Sequence, residues 1–330
     1  MYSVYQHWDP LQVCVVGRSW GPEFYSWITV PHVRSLFERI AIETEQDYQK
    51  IIAKLTEFNV EVIRPELPDS TLVRNKFPLS PMCPRDNSIM IGTQYYHSQG
   101  TNYQHIHQHI TEQNNQLFTG RTVVDRMING AMTTRVGKDL YFANINHEFD
   151  SQQLLSLLQP KFPNYRCHVV NTQGHSDSTF CAVAPGLIIS LHDIDNYAET
   201  FPDWQVVYLP NQSWDKVQPF LDLKAKNQGR WWIPGFEHDQ AVIDLVETWL
   251  GHWTGYVEET VFDVNMLVID PKNVIVFNYN KQVFAALEQH GITPHVVPFR
   301  HRYFWDGGVH CITSDLHRNG TMQDYFPQRS

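Results

Sequence analysis

Residues 139–171, DLYFANINHEFDSQQLLSLLQPKFPNYRCHVVN, decide the fold. DLYFANI (139–145) is a short apolar run of strand character. SQQLLSLLQ (151–159) is a helical stretch, and YRCHVVN (165–171) turns β-rich again before a polar boundary. The segment is a strand–helix–strand unit, and similar units recur along the chain.

The first unit runs from Leu11 to Pro65. Its opening strand is QVCVVG (12–17) and its closing strand is VEVIRP (60–65). Between them TEQDYQKIIAKLTEF (44–58) places Tyr48, Ile51, Ile52 and Leu55 on one helical face, with Thr44 as N-cap. The second unit opens with SIMIG (88–92) and closes around RTVVD (121–125). The fourth pairs GLIISL (186–191) with WQVVYLP (204–210). The fifth runs NVIVFN (273–278), KQVFAALEQHG (281–291), PHVVPF (294–299), with Gly291 where a helix C-cap belongs. Five such units predict pseudo-repetition. Arranged radially, they form a closed, propeller-like α/β body in which residues from different units converge on a central site. A doubly wound sheet also alternates strands and helices. No GxGxxG follows the first strand, however, so a dinucleotide site is not supported.

No low-complexity linker divides the chain, so residues 1–330 read as one domain carrying two insertions. The first spans about 97–118, beginning HSQGTNYQHIHQHITEQNNQ, and the second about 211–245, around Trp231 and Trp232. Were the first insertion a strand, His105, His107 and His109 would share a face as metal ligands. No cysteine or carboxylate lies at ligand spacing, so the preferred reading is a polar surface insertion with solvated histidines, and no metal or other cofactor is expected.

Apolar residues make up 42% of the chain and charged residues 18%, enough apolar mass for a core. The net charge of −10 comes without a basic patch, which argues against nucleic acid as a partner. It is consistent with a cationic substrate. The start MYSVYQHWDP has neither a basic n-region nor an apolar h-region. No run approaches the roughly 18 apolar residues of a membrane span, so no membrane partner is expected. Cys14, Cys83, Cys167, Cys181 and Cys311 are odd in number and far apart, which points to a reducing cytoplasm rather than a disulfide framework.

Three segments set reactive side chains at strand ends or loops, where active sites collect. They are PMCPRDN (81–87) with Asp86, QGHSDSTF (173–180) with His175 and Asp177, and DGGVHCITSD (306–315) with His310 and Cys311. Singly, each reads as ordinary packing or turn chemistry. Jointly they supply what attack on a planar cation needs. A carboxylate accepts two parallel hydrogen bonds from a guanidinium. A thiolate requires a neighbouring base or positive charge, and a histidine takes and returns protons.

In this order the three segments resemble the amidinotransferase branch of the guanidino-group-modifying (pentein) superfamily, most of all its glycine amidinotransferase group. PMCPRD resembles the family's substrate-aspartate segment, GHSDSTF its His-x-Asp segment, and WDGGVHCITSDLHRNGTMQDYF (305–326) its cysteine-bearing C-terminus. The resemblance implies a five-bladed α/β propeller of ββαβ modules, small-molecule partners (a guanidino donor and an amine acceptor) and a homodimer. It implies Cys311 as nucleophile and His175 as acid and base. Asp86 and Asp177 would grip the guanidinium, with Arg85 and His310 beside them in the substrate site.

Three positions depart from the family pattern. Asn129, in VVDRMINGAMTTRVGKDL (123–140), stands where the family has the aspartate behind the histidine. An amide still orients an imidazole but stabilises its cation less. Asp125 is the alternative. Ile194 stands at the family's carboxylate-binding arginine, and Glu258 and Glu259 stand at two serines. Two acids would repel a carboxylate and welcome an ammonium. Three functions are therefore weighed: an amidinotransferase acting between arginine or a related donor and a primary amine, glycine or another; a guanidino-group hydrolase of deiminase or dihydrolase type using the same cysteine; and a propeller retained for binding alone.

Overall fold

The computed structural model describes residues 1–67, 80–97, 104–114, 117–119, 127–172, 174–191, 194, 197–209, 233, 235, 236, 238–249, 261–305 and 307–329. Its strands form five three-stranded sheets, each built by one rule. Two antiparallel strands lie side by side, and a third, parallel to the middle one, follows the crossover.

The second blade is β3 (Ser88–Ile91), β4 (Gln94–His97) and β5 (Leu117–Thr119). The third is β6 (Thr133–Val136), β7 (Asp139–Ile145) and β8 (Arg166–Thr172). The fourth is β9 (Phe180–Ala184), β10 (Leu187–Ser190) and β11 (Gln205–Tyr208). The fifth is β12 (Leu267–Asp270), β13 (Asn273–Val276) and β14 (Thr293–Val296). The first blade joins the two ends of the chain. β1 (Leu11–Val16) pairs in parallel with β2 (Glu61–Ile63) and antiparallel with β15 (Thr313–Arg318). This is the five-bladed α/β propeller, and the last strand closes the ring.

The crossovers show where tertiary packing overrode local signals. α1 runs over Pro31–Glu57, thirteen residues earlier than the expected start, with Pro31 in its first turn. Its buried stripe is Val33, Leu36, Phe37, Ile40, Ala41, Thr44, Asp47, Tyr48, Ile51 and Leu55, at steps of three and four. Thr44 is therefore not a cap. It lies fully buried in mid-helix, where its hydroxyl accepts a hydrogen bond from Trp305 Nε1 at 2.7 Å. Asp47, equally buried, takes bonds from the Arg300 backbone and guanidinium. Two polar residues that would end an isolated pattern are thus satisfied from another part of the chain.

α2 (Gln104–Asn114) corrects the histidine reading, because the segment is a helix. His105 Nε2 meets the Arg64 carbonyl at 2.7 Å, and His109 Nε2 meets the Tyr2 hydroxyl at 2.8 Å. Both side chains are half-buried and engaged rather than solvated. The second blade closes at Leu117–Thr119, ahead of the expected RTVVD, which lies outside the described residues.

The remaining helices are α3 (Ser151–Leu158), α4 (Tyr197–Thr200), α5 (Gln240–Trp249), α6 (Val261–Val264), α7 (Lys281–Gln289) and α8 (Arg302–Trp305). α7 ends as expected. Gly291, at φ +70°, takes the left-handed conformation that costs a glycine little. Most of the second insertion lies outside the described residues, but Val242 and Val246 of α5 pack into the core with α1. Among the described residues no helix is long and apolar enough to cross a membrane.

Apolar clusters fill the spaces between blades. One joins Ile89, Ile91 and Tyr96 of the second blade to Leu140, Phe142, Leu154 and Leu158 of the third. Deeper inside, the polar residues are not random. Asp315 of β15 accepts from Arg85 Nη1 at 2.7 Å, from Arg135 Nη2 at 2.8 Å and from Arg318 Nε at 2.7 Å. All four side chains are about 1% exposed. Arg135 continues to the Met90 carbonyl of β3, and Arg318 to the Val268 carbonyl of β12. One carboxylate and three guanidinium groups thereby tie together the first strands of four blades.

Candidate active site

The loops leading into three blades carry the site. PMCPRDN makes a single 3-10 turn, Pro84–Asp86, ahead of β3. GHSDSTF makes another, Ser176–Ser178, ahead of β9. GGVHC leads into β15. At three residues per turn, neighbouring side chains point about 120° apart, which separates Asp86 from Arg85. Arg85 is a correction. It points into the axis, where Nε donates to the His310 and Thr313 carbonyls and Nη1 to Asp315, and it is 1% exposed. It supports the site from beneath and offers no surface to a substrate.

Cys311 sits against Asp177. The sulfur lies 3.4 Å from Asp177 Oδ2, with the thiol as donor. His310 Nδ1 lies 2.9 Å from the same oxygen. His310, expected in the substrate site, is thus buried and spent on holding Asp177. The other Asp177 oxygen, Oδ1, is buried without a partner among the described residues, and so is Asp86 Oδ1. Two carboxylates therefore each hold one unanswered acceptor. The half-buried His175 ring is close enough for its field to act on both carboxyl groups. No hydrogen bond joins it to Cys311 among the described residues.

Burial decides the charges. It raises Asp86 to about 7, with the Asp177 charge adding to the rise while His175 and Arg85 oppose it. Asp177 is equally buried, yet its pKa is lowered, because the His310 hydrogen bond and the fields of His310, His175 and Arg85 outweigh desolvation. Burial and Arg85 together hold His310 down to about 4. At neutral pH His310 is therefore uncharged and gives Asp177 an N–H, while Arg85 supplies a positive field. Desolvation, then the charges of Asp177 and Asp86, push the Cys311 thiol well above its ordinary range. Without a bound cation the sulfur rests as a thiol.

Asn129 is buried, and its Oδ1 accepts from the Ala131 and Met132 amides at 3.0 Å each. The Ala131 carbonyl accepts from the Asp177 amide at 3.2 Å. Asn129 thus braces the backbone behind Asp177. Ile194 is buried, 1% exposed, in the apolar cluster with Phe180 and Tyr197, and offers nothing to a carboxylate. Glu258, Glu259 and Asp125 lie outside the described residues. No group of three or more His, Cys, Asp or Glu is placed to hold a metal among the described residues.

One site residue escapes a motif reading. Asn265, between α6 and β12, is 1% exposed and touches both Cys311 and Asp177. Its only signal is an amide inside the apolar run VNMLVI. It also explains a glycine. A Cβ on Gly308 would stand 2.3 Å from Asn265 Oδ1, so the chain before the cysteine must be bare there.

No protein-family profile matches the chain. Inosamine-phosphate amidinotransferase 1 of Streptomyces glaucescens is 22% identical over 385 aligned residues, taking in 98% of this chain and 99% of that protein. Mitochondrial glycine amidinotransferase of Xenopus tropicalis is 27% identical over 168 residues, 50% of this chain and 32% of that one. The solved inosamine-phosphate amidinotransferase of Streptomyces griseus superposes with a TM-score of 0.70 at 18% identity, covering 98% of this chain and 99% of the other. Relatives named for amidino transfer match nearly the whole chain and share its propeller fold: the chain is similar to the amidinotransferases of the guanidino-group-modifying (pentein) superfamily and is an enzyme of the amidinotransferase type.

Proposed function

We propose that the enzyme moves an amidino group from arginine or a related guanidino donor to a primary amine through a covalent amidino-cysteine. The observation that carries this is the pair of buried, unanswered acceptors, Asp86 Oδ1 and Asp177 Oδ1, in a site shared with the Cys311 sulfur. A guanidinium presents N–H groups in the plane those acceptors call for. Its positive charge also offsets the two carboxylates that hold Cys311 protonated, so the substrate itself favours the thiolate.

In this reading Cys311 passes its proton to His175 and its sulfur attacks the guanidinium carbon. His175 returns the proton to the departing amine nitrogen as that C–N bond breaks. The same carboxylates grip the amidino-cysteine cation. An acceptor amine then attacks the carbon, His175 removes its proton, the C–S bond breaks, and His175 returns that proton to the sulfur, regenerating the thiol. Asn129 acts through the backbone as a positioning residue. Glu258 and Glu259 favour an ammonium-bearing substrate tail over a free carboxylate, which directs the search toward amines beyond glycine. The cysteines form no disulfide among the described residues, which fits a reducing, cytoplasmic setting.

The test mixes pure enzyme with arginine and other guanidino donors, with and without an amine panel. The readouts are the intact mass of the protein and the released amine. A Cys311 adduct that disappears only on adding an amine is the expected result. Loss of the adduct to water alone would make the enzyme a hydrolase. No adduct and no released amine with any donor would sink the proposal.

A further inference from the structure

Cys311 is placed among groups that oppose its ionisation. Asp177 Oδ2 is 3.4 Å from the sulfur, Asp86 adds a second negative field, and the residue is 8% exposed. A nucleophile so placed needs a donor of its own. Asn265 Nδ2 lies 3.0 Å from the sulfur and is the one side-chain donor to it among the described residues. The Gly308 backbone amide acts in the same direction.

The orientation of the Asn265 amide is fixed by its other partners. Oδ1 accepts from the backbone amides of His310 at 2.8 Å and Cys311 at 3.1 Å. A flipped amide would set NH₂ against two N–H donors, so oxygen must face the backbone. Nδ2 then points to the sulfur and to the Asp177 carbonyl, at 3.1 Å. One rigid amide, 1% exposed, thus holds the backbone carrying the nucleophile, the backbone carrying the substrate carboxylate, and the reacting sulfur.

We propose that Asn265 is the thiolate-stabilising residue of this site: its Nδ2 amide favours the ionised Cys311 sulfur while its Oδ1 fixes the His310–Cys311 backbone on which that sulfur is mounted. A hydrogen bond to the charged form of a thiol favours that form, and in a buried site little water competes. The inference rests on Cys311 being the nucleophile, and it concerns the free enzyme before any substrate binds.

The discriminating variant is Asn265→Asp, which keeps an oxygen for the backbone clamp and removes the donor. Asn265→Ala removes the donor without adding charge. The readout is the pH dependence of Cys311 alkylation by iodoacetamide, followed by peptide mass spectrometry with no substrate present. The expected result is a midpoint displaced upward in both variants, with alkylation roughly tenfold slower or more at a fixed pH on the acid side. Asn265→Asp should keep its circular dichroism and cooperative melting, and any transfer activity should lose kcat with little change in donor KM. Alkylation profiles that superimpose on the native one would overturn the proposal. Should neither variant fold, the native protein still answers. One Asn side-chain amide in a ¹H–¹⁵N spectrum must titrate with the alkylation midpoint and cease to do so in Cys311→Ala. No such resonance would also overturn it. Neither readout uses a guanidino compound. A displaced midpoint in an enzyme that transfers nothing would refute the function proposed above and leave Asn265 in its role, while intact transfer with an unmoved midpoint would do the reverse.

Discussion

Asp86 and Asp177 lie near each other with opposite tendencies: Asp177 takes an N–H from His310, while Asp86 Oδ1 is buried without a partner among the described residues. The contrast has a measurable sign. In the folded free enzyme Asp86 holds its proton up to about 7, whereas an unfolded aspartate releases it near 3.9. Between those values the folded state binds the extra proton, so this group makes stability fall as pH rises from about 4 to about 7. Asp86→Asn should therefore raise the melting temperature at pH 8 by roughly 2–6 °C, with the gain vanishing near pH 4, in a calorimetric series. The same change should abolish transfer, since an amide cannot accept a paired guanidinium. In the native enzyme kcat/KM should climb about tenfold per pH unit on the acid side of 7, where Asp86 must ionise to bind the cation. A flat profile from pH 5 to 7 would contradict this. Cys311→Ala should lose transfer altogether while melting normally, as read by product assay and calorimetry.

At the scale of elements, α1 depends on partners far away in sequence. Thr44 and Asp47 interrupt its apolar stripe and would be liabilities in an isolated helix. Trp305 Nε1 and the Arg300 guanidinium satisfy them across more than 250 residues. Thr44→Val keeps the shape but strands the indole N–H in a dry interior. That should cost about 1–3 kcal/mol in urea unfolding. A variant as stable as the native protein would show that water reaches Trp305. The apolar periodicity beginning at Val33 was present in the sequence all along. Reading the helix only from Thr44 gave a polar residue the meaning of a boundary, when its partner lay in another segment. α2 teaches the same lesson in reverse. The segment read as a polar surface insertion with solvated histidines, and the helix that forms places Ile106 and Ile110 one turn apart, both fully buried.

For the molecule as a whole, the axis is held electrostatically. Asp315 answers three buried guanidinium groups, and its carboxyl is held well below the usual range despite burial, chiefly by Arg135, Arg85 and Arg318. The stability this gives is present above the ordinary aspartate range and is lost only as pH falls well beneath it. Asp315→Asn should cost about 3–5 kcal/mol, because removing one partner leaves buried charges uncompensated. Equilibrium unfolding at pH 7 checks this, and a loss under 1 kcal/mol would mean the ring does not rely on its hub. The cluster also reaches the chemistry. Arg85 bonds Asp315 on one side and the His310 carbonyl on the other, so closing the ring with β15 also delivers Cys311 to Asp177.

The sequence by itself determined the repeating strand–helix–strand units, the closure they imply, and the three short segments that carry Asp86, His175, Asp177 and Cys311, because these are written in local periodicity and in contiguous motifs. Only the tertiary structure decided that Arg85 faces the axis, that His310 supports Asp177, that Thr44 is buried inside a helix, and that Asn265 reaches the Cys311 sulfur. Those roles depend on pairs separated by tens to hundreds of residues. A side chain's partner across such a distance is set by how blades pack, and local sequence carries no record of it.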